Sequence, residues 1–192
     1  GPPPPPPPRA AMRAFVAVEL PEAAREEVER LQETLQRSGA DVKWVEPENL
    51  HLTLKFLGEI PEDQAGQVEE ALRSAISSFR PFSFQLKGIG AFPRVNSPRV
   101  LWVGVGEGNL QLTELGATVE KCCLAVGFPA EDRPFSPHLT IGRIRPGPGL
   151  TRLIQQLEAA EFRCSAPAPV ERIILFQSVL SAHSPTYSRL IP

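Results

Sequence analysis

The chain has 192 residues, 42% of them hydrophobic, and a formal net charge of −2, which suits one domain or two small lobes sharing a core. That balance provides no global basic field to attract nucleic acid, no apolar run approaches membrane-span length, and no signal peptide is visible. Cys122, Cys123 and Cys164 cannot all pair, show no Cys–His zinc spacing, and read as reduced thiols of a cytoplasmic protein.

Residues 1–11 differ from the rest. Seven consecutive prolines predict a polyproline II rod that cannot bury a core. It reads as a disordered or appended leader, the alternative being a ligand for a proline-binding module. Met12, the only methionine, is a natural start for a single domain over 12–192.

Arg13 to Leu20 then reads as a strand. Pro21 opens a helix to about Arg37, with acidic residues in its first turn. Lys43 to Val45 is a short strand, and the apolar run Leu50 to Leu57 a longer one that Gly58 ends. Pro61 opens an amphipathic helix through Val68, Leu72 and Ile76. Phe82–Phe92 and Arg99–Val105 form a strand pair around a Pro/Asn/Ser turn. Leu110 to Val126 is a third helix. A strand follows Pro137, and Leu150 to Ala159 is a fourth helix. Val170–Leu180 and Tyr187–Ile191 are closing strands. Hairpin-like pairs and scattered prolines predict an α+β arrangement of mainly antiparallel sheets with helices outside.

Within this pattern one short motif occurs twice. His51-Leu-Thr53-Leu and His138-Leu-Thr140-Ile lie 87 residues apart, in a chain with three histidines and seven threonines. Chance alone yields such a pair less than about one time in a hundred. Each copy follows a helix and a loop, which suggests two related lobes around a shared cleft. Side chains alternate along a strand, so His51 shares a face with Thr53 and His138 with Thr140. The intervening Leu and Ile residues point into a core. His183 lacks the pattern and reads as a surface loop residue.

Two facing imidazoles suit proton transfer near neutral pH, one as acid and one as base. Two threonine hydroxyls can donate to the non-bridging oxygens of a phosphodiester. Basic residues crowd nearby. Lys55 is in phase with His51 and Thr53. Arg143 reaches the cleft only if its strand ends or bulges at Gly142. Arg133 is a further candidate phosphate ligand, and Arg145 is as readily a solvated surface residue.

The segments Glu48-Asn-Leu-His-Leu-Thr-Leu-Lys-Phe-Leu-Gly-Glu59 and Arg133-Pro-Phe-Ser-Pro-His-Leu-Thr-Ile-Gly-Arg143 resemble the 2H phosphoesterases, in particular their RNA 2′,3′-cyclic phosphodiesterase (2′-5′ RNA ligase-like) branch. The opening Arg13-Ala-Phe-Val-Ala-Val-Glu-Leu-Pro21 and closing Leu175-Phe-Gln-Ser support the likeness. The resemblance implies a bilobal, pseudo-two-fold fold with both motifs lining the central cleft. It implies His51 as general acid on O3′, His138 as general base on water, and Thr53 and Thr140 holding the phosphate. The implied product is an RNA 2′-phosphomonoester, with weak reverse 2′-5′ ligation and neither cofactor nor metal. RNA ends with a cyclic phosphate are the expected partner; no membrane or obligate protein partner is expected, and a monomer is the default. The competing readings are a phosphodiesterase for 2′-5′-linked oligonucleotides or other small cyclic phosphates, and a nucleotide-binding module with little turnover.

Overall fold

The computed structural model describes residues 1–5, 11–179 and 187–191; His183 lies outside the described residues. Residues 1–5 are exposed and lack regular secondary structure. The elements run β1 (Ala11–Val18), α1 (Glu22–Gln36), β2 (Val42–Trp44), β3 (Leu52–Pro61), α2 (Ala65–Ser77), β4 (Phe82–Phe84), β5 (Leu86–Arg94) and β6 (Ser97–Val105). They continue with α3 (Asn109–Ala125), β7 (His138–Ile144), α4 (Leu150–Ala159), β8 (Ala168–Val170), β9 (Ile173–Val179) and β10 (Tyr187–Ile191).

The helices follow their apolar periodicity. Ala24, Val28 and Leu35 bury one face of α1, and Val68, Leu72 and Ile76 one face of α2, spacings that return to one side of a 3.6-residue turn. Pro21 is extended at φ −66° and ψ 156°, and caps α1. Its carbonyl accepts the Arg25 N–H at 3.0 Å.

The strands form two four-stranded antiparallel sheets, ordered β10-β9-β1-β3 and β2-β7-β6-β5. This is the expected α+β architecture, with one sheet per lobe. Most strand ends shift by a residue or two, and Pro61 closes β3 instead of opening a helix, which starts at Ala65; three differences are larger. Gly58 does not end its strand: at φ 72° it pairs with Ala14 inside β3, a left-handed conformation that glycine adopts without a Cβ penalty. The expected strand 82–92 breaks at Gln85, and the expected strand 170–180 breaks at Glu171 and Arg172. The separated ends, β4 and β8, pair with each other as a third, two-stranded sheet.

Helices cross between the lobes. The helix that precedes β3 is α1, yet its buried Gln32 bonds to the other lobe: Nε2 donates to the Val45 and Ile141 carbonyls at 3.0 and 2.9 Å. The helix that precedes β7 is α3, yet it packs on β3 and on α2. Gln156 of α4 donates to the Thr34 carbonyl of α1. The helix leading to each motif thus reaches the sheet that carries the other motif, and the apolar core is continuous through both lobes. Among the described residues, no helix is long and apolar enough to cross a membrane.

Candidate active site

His51, Thr53, His138 and Thr140 line one cleft of about 490 Å³, together with Arg133 and Arg143. His51 follows a 3-10 turn at Pro47–Asn49 and the buried Leu50, and directly precedes β3. His138 opens β7, one residue after the buried Pro137. Both imidazoles and both threonines are half-buried, whereas Leu52, Leu54, Leu139 and Ile141 face the core. The alternation expected of each motif is therefore present.

A backbone carbonyl orients each imidazole. His138 Nδ1 lies 2.7 Å from the Ser136 carbonyl oxygen. A carbonyl only accepts, so Nδ1 carries the proton and the neutral ring keeps its lone pair on Nε2. The His51 ring hydrogen-bonds to the Glu48 backbone. It also stacks on Phe176.

Each motif strand carries a β-bulge at the same point of its motif. Val16 pairs with Lys55 and Ala17 with Thr53, leaving Leu54 as the extra residue. Leu101 pairs with Gly142 and Trp102 with Thr140, leaving Ile141 extra. A bulge shifts the phase of the residues after it. In β7 it turns the exposed Arg143 into the cleft; the bulge that sequence phase required for this arginine is present, with Ile141, the residue before Gly142, as the extra residue. In β3 it has the opposite consequence for Lys55. The lysine is only 2% exposed, and its ammonium donates to Glu120 at 2.8 Å and to the Pro129 carbonyl at 3.1 Å. Lys55 borders the cleft, but its charge is committed to the α3 side. The reading that placed it in phase with His51 and Thr53 as a phosphate ligand is corrected on this ground. Arg145 is exposed, and its backbone N–H bonds the Asp41 carbonyl.

Phe56 takes the cleft position that strict alternation assigns to Lys55. It is 64% exposed, Phe92 from the other lobe is 43% exposed, and both line the cleft. The Phe92 ring meets His138 edge-on, with centroids 5.4 Å apart at 81°. Sequence reasoning missed both phenylalanines. Phe56 follows Thr53 by three residues, an inward phase unless the bulge is known.

The comparisons agree with this duplicated geometry. The family model described as LigT-like phosphoesterase matches twice, over residues 18–102 and 103–187. The chain belongs to the LigT-like phosphoesterases. It is 39% identical over 181 residues to the RNA 2′,3′-cyclic phosphodiesterase of Archaeoglobus fulgidus, covering 93% of this chain and 98% of that protein. It is 37% identical over 181 residues to the protein of the same name from Methanothermobacter thermautotrophicus, covering 92% and 95%. A crystal structure from Thermus thermophilus matches with a TM-score of 0.70 and 33% identity, over 94% of this chain and 95% of that one. Escherichia coli LigT, crystallised with 3′-AMP, shares the fold at a TM-score of 0.67 and 23% identity, over 95% and 98%.

Burial and then the nearby Arg25 guanidinium push His51 below the usual 6.5, against the Glu48 hydrogen bond. Burial disfavours an imidazolium because charge is poorly solvated there. Arg133 and Arg143 place two guanidiniums at the cleft, groups suited to bidentate contact with phosphate oxygens.

Proposed function

We propose that this LigT-like phosphoesterase hydrolyses RNA 2′,3′-cyclic phosphate ends to 2′-phosphomonoesters without a metal. The observation that carries the reading is the convergence of two oriented imidazoles, two hydroxyls and two guanidiniums on one cleft. Water attacks phosphorus while His138 Nε2 takes its proton. The P–O3′ bond breaks, and protonated His51 delivers its proton to O3′. Thr53, Thr140, Arg133 and Arg143 donate to the non-bridging oxygens, where charge is held in the transition state. A bound phosphate anion beside His51 favours the imidazolium that this role needs. The exposed phenyl rings offer faces on which a nucleobase can stack, whatever its identity. Reversal of the same steps gives weak 2′-5′ ligation.

One observation favours a second reading. Phe56 and Phe92 reach the cleft from opposite lobes, which suits a substrate with a base on each side of the phosphate, as in a 2′-5′-linked oligonucleotide. A panel of cyclic-phosphate-ended RNA, a 2′-5′ dinucleotide and cyclic mononucleotides tests both. Fastest turnover of the cyclic RNA end supports the first reading, and no turnover of any of the three removes both. The three free thiols support a reducing, cytoplasmic setting, where we read the protein as a monomer acting on RNA ends.

A further inference from the structure

Lys55 and Glu120 belong to different halves of the sequence, and they meet where α3 packs on β3. The Lys55 ammonium, on the residue after the β3 bulge, bonds Glu120 Oε1 of α3 at 2.8 Å. The same oxygen accepts the Glu131 N–H at 2.8 Å. The Pro129 carbonyl takes a second bond from Lys55 at 3.1 Å, and Glu131 Oε1 faces the Phe56 N–H at 3.4 Å. Phe135 then packs directly on Gly116 of α3, leaving no room there for a Cβ. The segment from Pro129 to Ser136 is therefore pinned to β3 at its start and to α3 along its length. It ends at the carbonyl that holds His138 Nδ1.

The other lobe has a counterpart. Gln32 of α1, 5% exposed, donates at 2.9 Å to the carbonyl of Ile141, the extra residue of the β7 bulge. Each motif bulge is thus held by a polar side chain from the helix that precedes the other motif.

We propose that Lys55 and Glu120 are positioning residues for His138, acting through the 129–136 segment. The proposal rests on the two-histidine reading of the cleft for its effect on turnover, though not for its effect on the ring. Lys55 fixes Glu120, Glu120 fixes the Glu131 N–H, and the segment thereby presents the Ser136 carbonyl to Nδ1. With the lock broken, the carbonyl drifts and the imidazole loses its fixed tautomer and direction. A displacement of about 1 Å at a catalytic group costs on the order of 10²-fold in rate. The pair is no phosphate site, because Lys55 is only 2% exposed and its ammonium is turned to two oxygen partners on the α3 side.

The test uses the full chain in three forms: E120A, E120Q and the double variant K55M/E120M. The double variant replaces a buried ion pair by apolar side chains of similar size, a change that proteins commonly tolerate in stability. It therefore keeps the fold while removing the acceptor of the Glu131 N–H. Long-range 1H–15N spectra read the His138 tautomer, and steady-state kinetics use a cyclic-phosphate-ended oligoribonucleotide. The expected result is an Nδ1–H tautomer in wild type and E120Q. E120A and K55M/E120M give a mixed tautomer and kcat lower by about 10²-fold with little change in KM. E120Q keeps one amide oxygen able to accept both bonds and stays within a few-fold of wild type. A folded K55M/E120M protein with wild-type tautomer and kcat overturns the proposal. A wild-type protein that turns over no substrate, yet loses the tautomer in K55M/E120M, overturns the functional reading and leaves the lock standing.

Discussion

The Phe176 ring stacks on the His51 imidazole, with centroids 4.3 Å apart and planes inclined by 28°. Phe15 stacks in turn on Phe176 at 4.9 Å and 13°. This aromatic column withdraws His51 from water, and burial is the first cause of its lowered proton affinity, ahead of the Arg25 charge.

The pH dependence follows from that. If one imidazole must be protonated and the other neutral, kcat/KM is bell-shaped, with limbs that belong to the pair. Because burial and Arg25 lower the proton affinity of His51, that imidazole draws the pair's profile toward acid pH. Arg25→Gln removes a repelling positive charge, and Phe176→Ala admits water. Both changes stabilise the imidazolium, so both move the profile to higher pH. Measurements on the two variants check this, and a profile that stays fixed in both takes His51 out of the rate-determining proton transfers.

Replacing either motif histidine by alanine is expected to lower kcat by about 10² to 10⁴, the usual worth of a general acid or base. Both rings are half-buried at the cleft surface, so the fold is retained. Circular dichroism and thermal melts alongside the kinetics separate loss of chemistry from loss of structure. Wild-type turnover by either variant would falsify its assigned role.

Activity is expected to survive exhaustive chelation. In the proposed scheme the phosphate is held by Thr53, Thr140, Arg133 and Arg143, all of which line the cleft. Among the described residues, no group of three or more His, Cys, Asp or Glu is placed to hold a metal ion. Dialysis against EDTA followed by assay on cyclic-phosphate-ended RNA checks it; activity that disappears and returns with a divalent ion contradicts the two-histidine scheme.

Acid stability is expected to depend on Glu27. Its carboxylate accepts the Cys164 thiol at 2.9 Å and bonds from Ser165 and Ala166, tying α1 to the segment between α4 and β8. The Cys164 bond first, then the Ser165 and Ala166 bonds, hold it down to about 2 from 4.5, against burial. A depressed carboxyl stabilises the fold fully above 4.5 and loses that contribution as pH falls toward 2. Glu27→Gln is therefore less stable than wild type at neutral pH, and its melting temperature falls less between pH 5 and pH 3, a window bracketing the ordinary 4.5. Melts across that range decide it, and parallel acid curves refute the role.

Much of this molecule was legible from local chemistry. The helices announced themselves through apolar spacing, and the duplicated His-x-Thr marked both cleft strands, because alternation along a strand is a local property. The closed-up register was not local. Whether Lys55, Phe56 or Arg143 faces the cleft depends on one extra residue opposite a neighbouring strand, at Leu54 and at Ile141.

The sequence by itself determined the α+β class, the repeat, and the pairing of one imidazole with one hydroxyl on each half. Only the tertiary structure decided which basic residues reach the phosphate side and which stay buried. It also decided that the helix leading to each motif reaches the sheet that carries the other motif. The physical reason is that a bulge is stabilised by contacts far away in sequence. Glu120 receives the Lys55 ammonium, and Gln32 meets the Ile141 carbonyl, across separations that no sequence window spans.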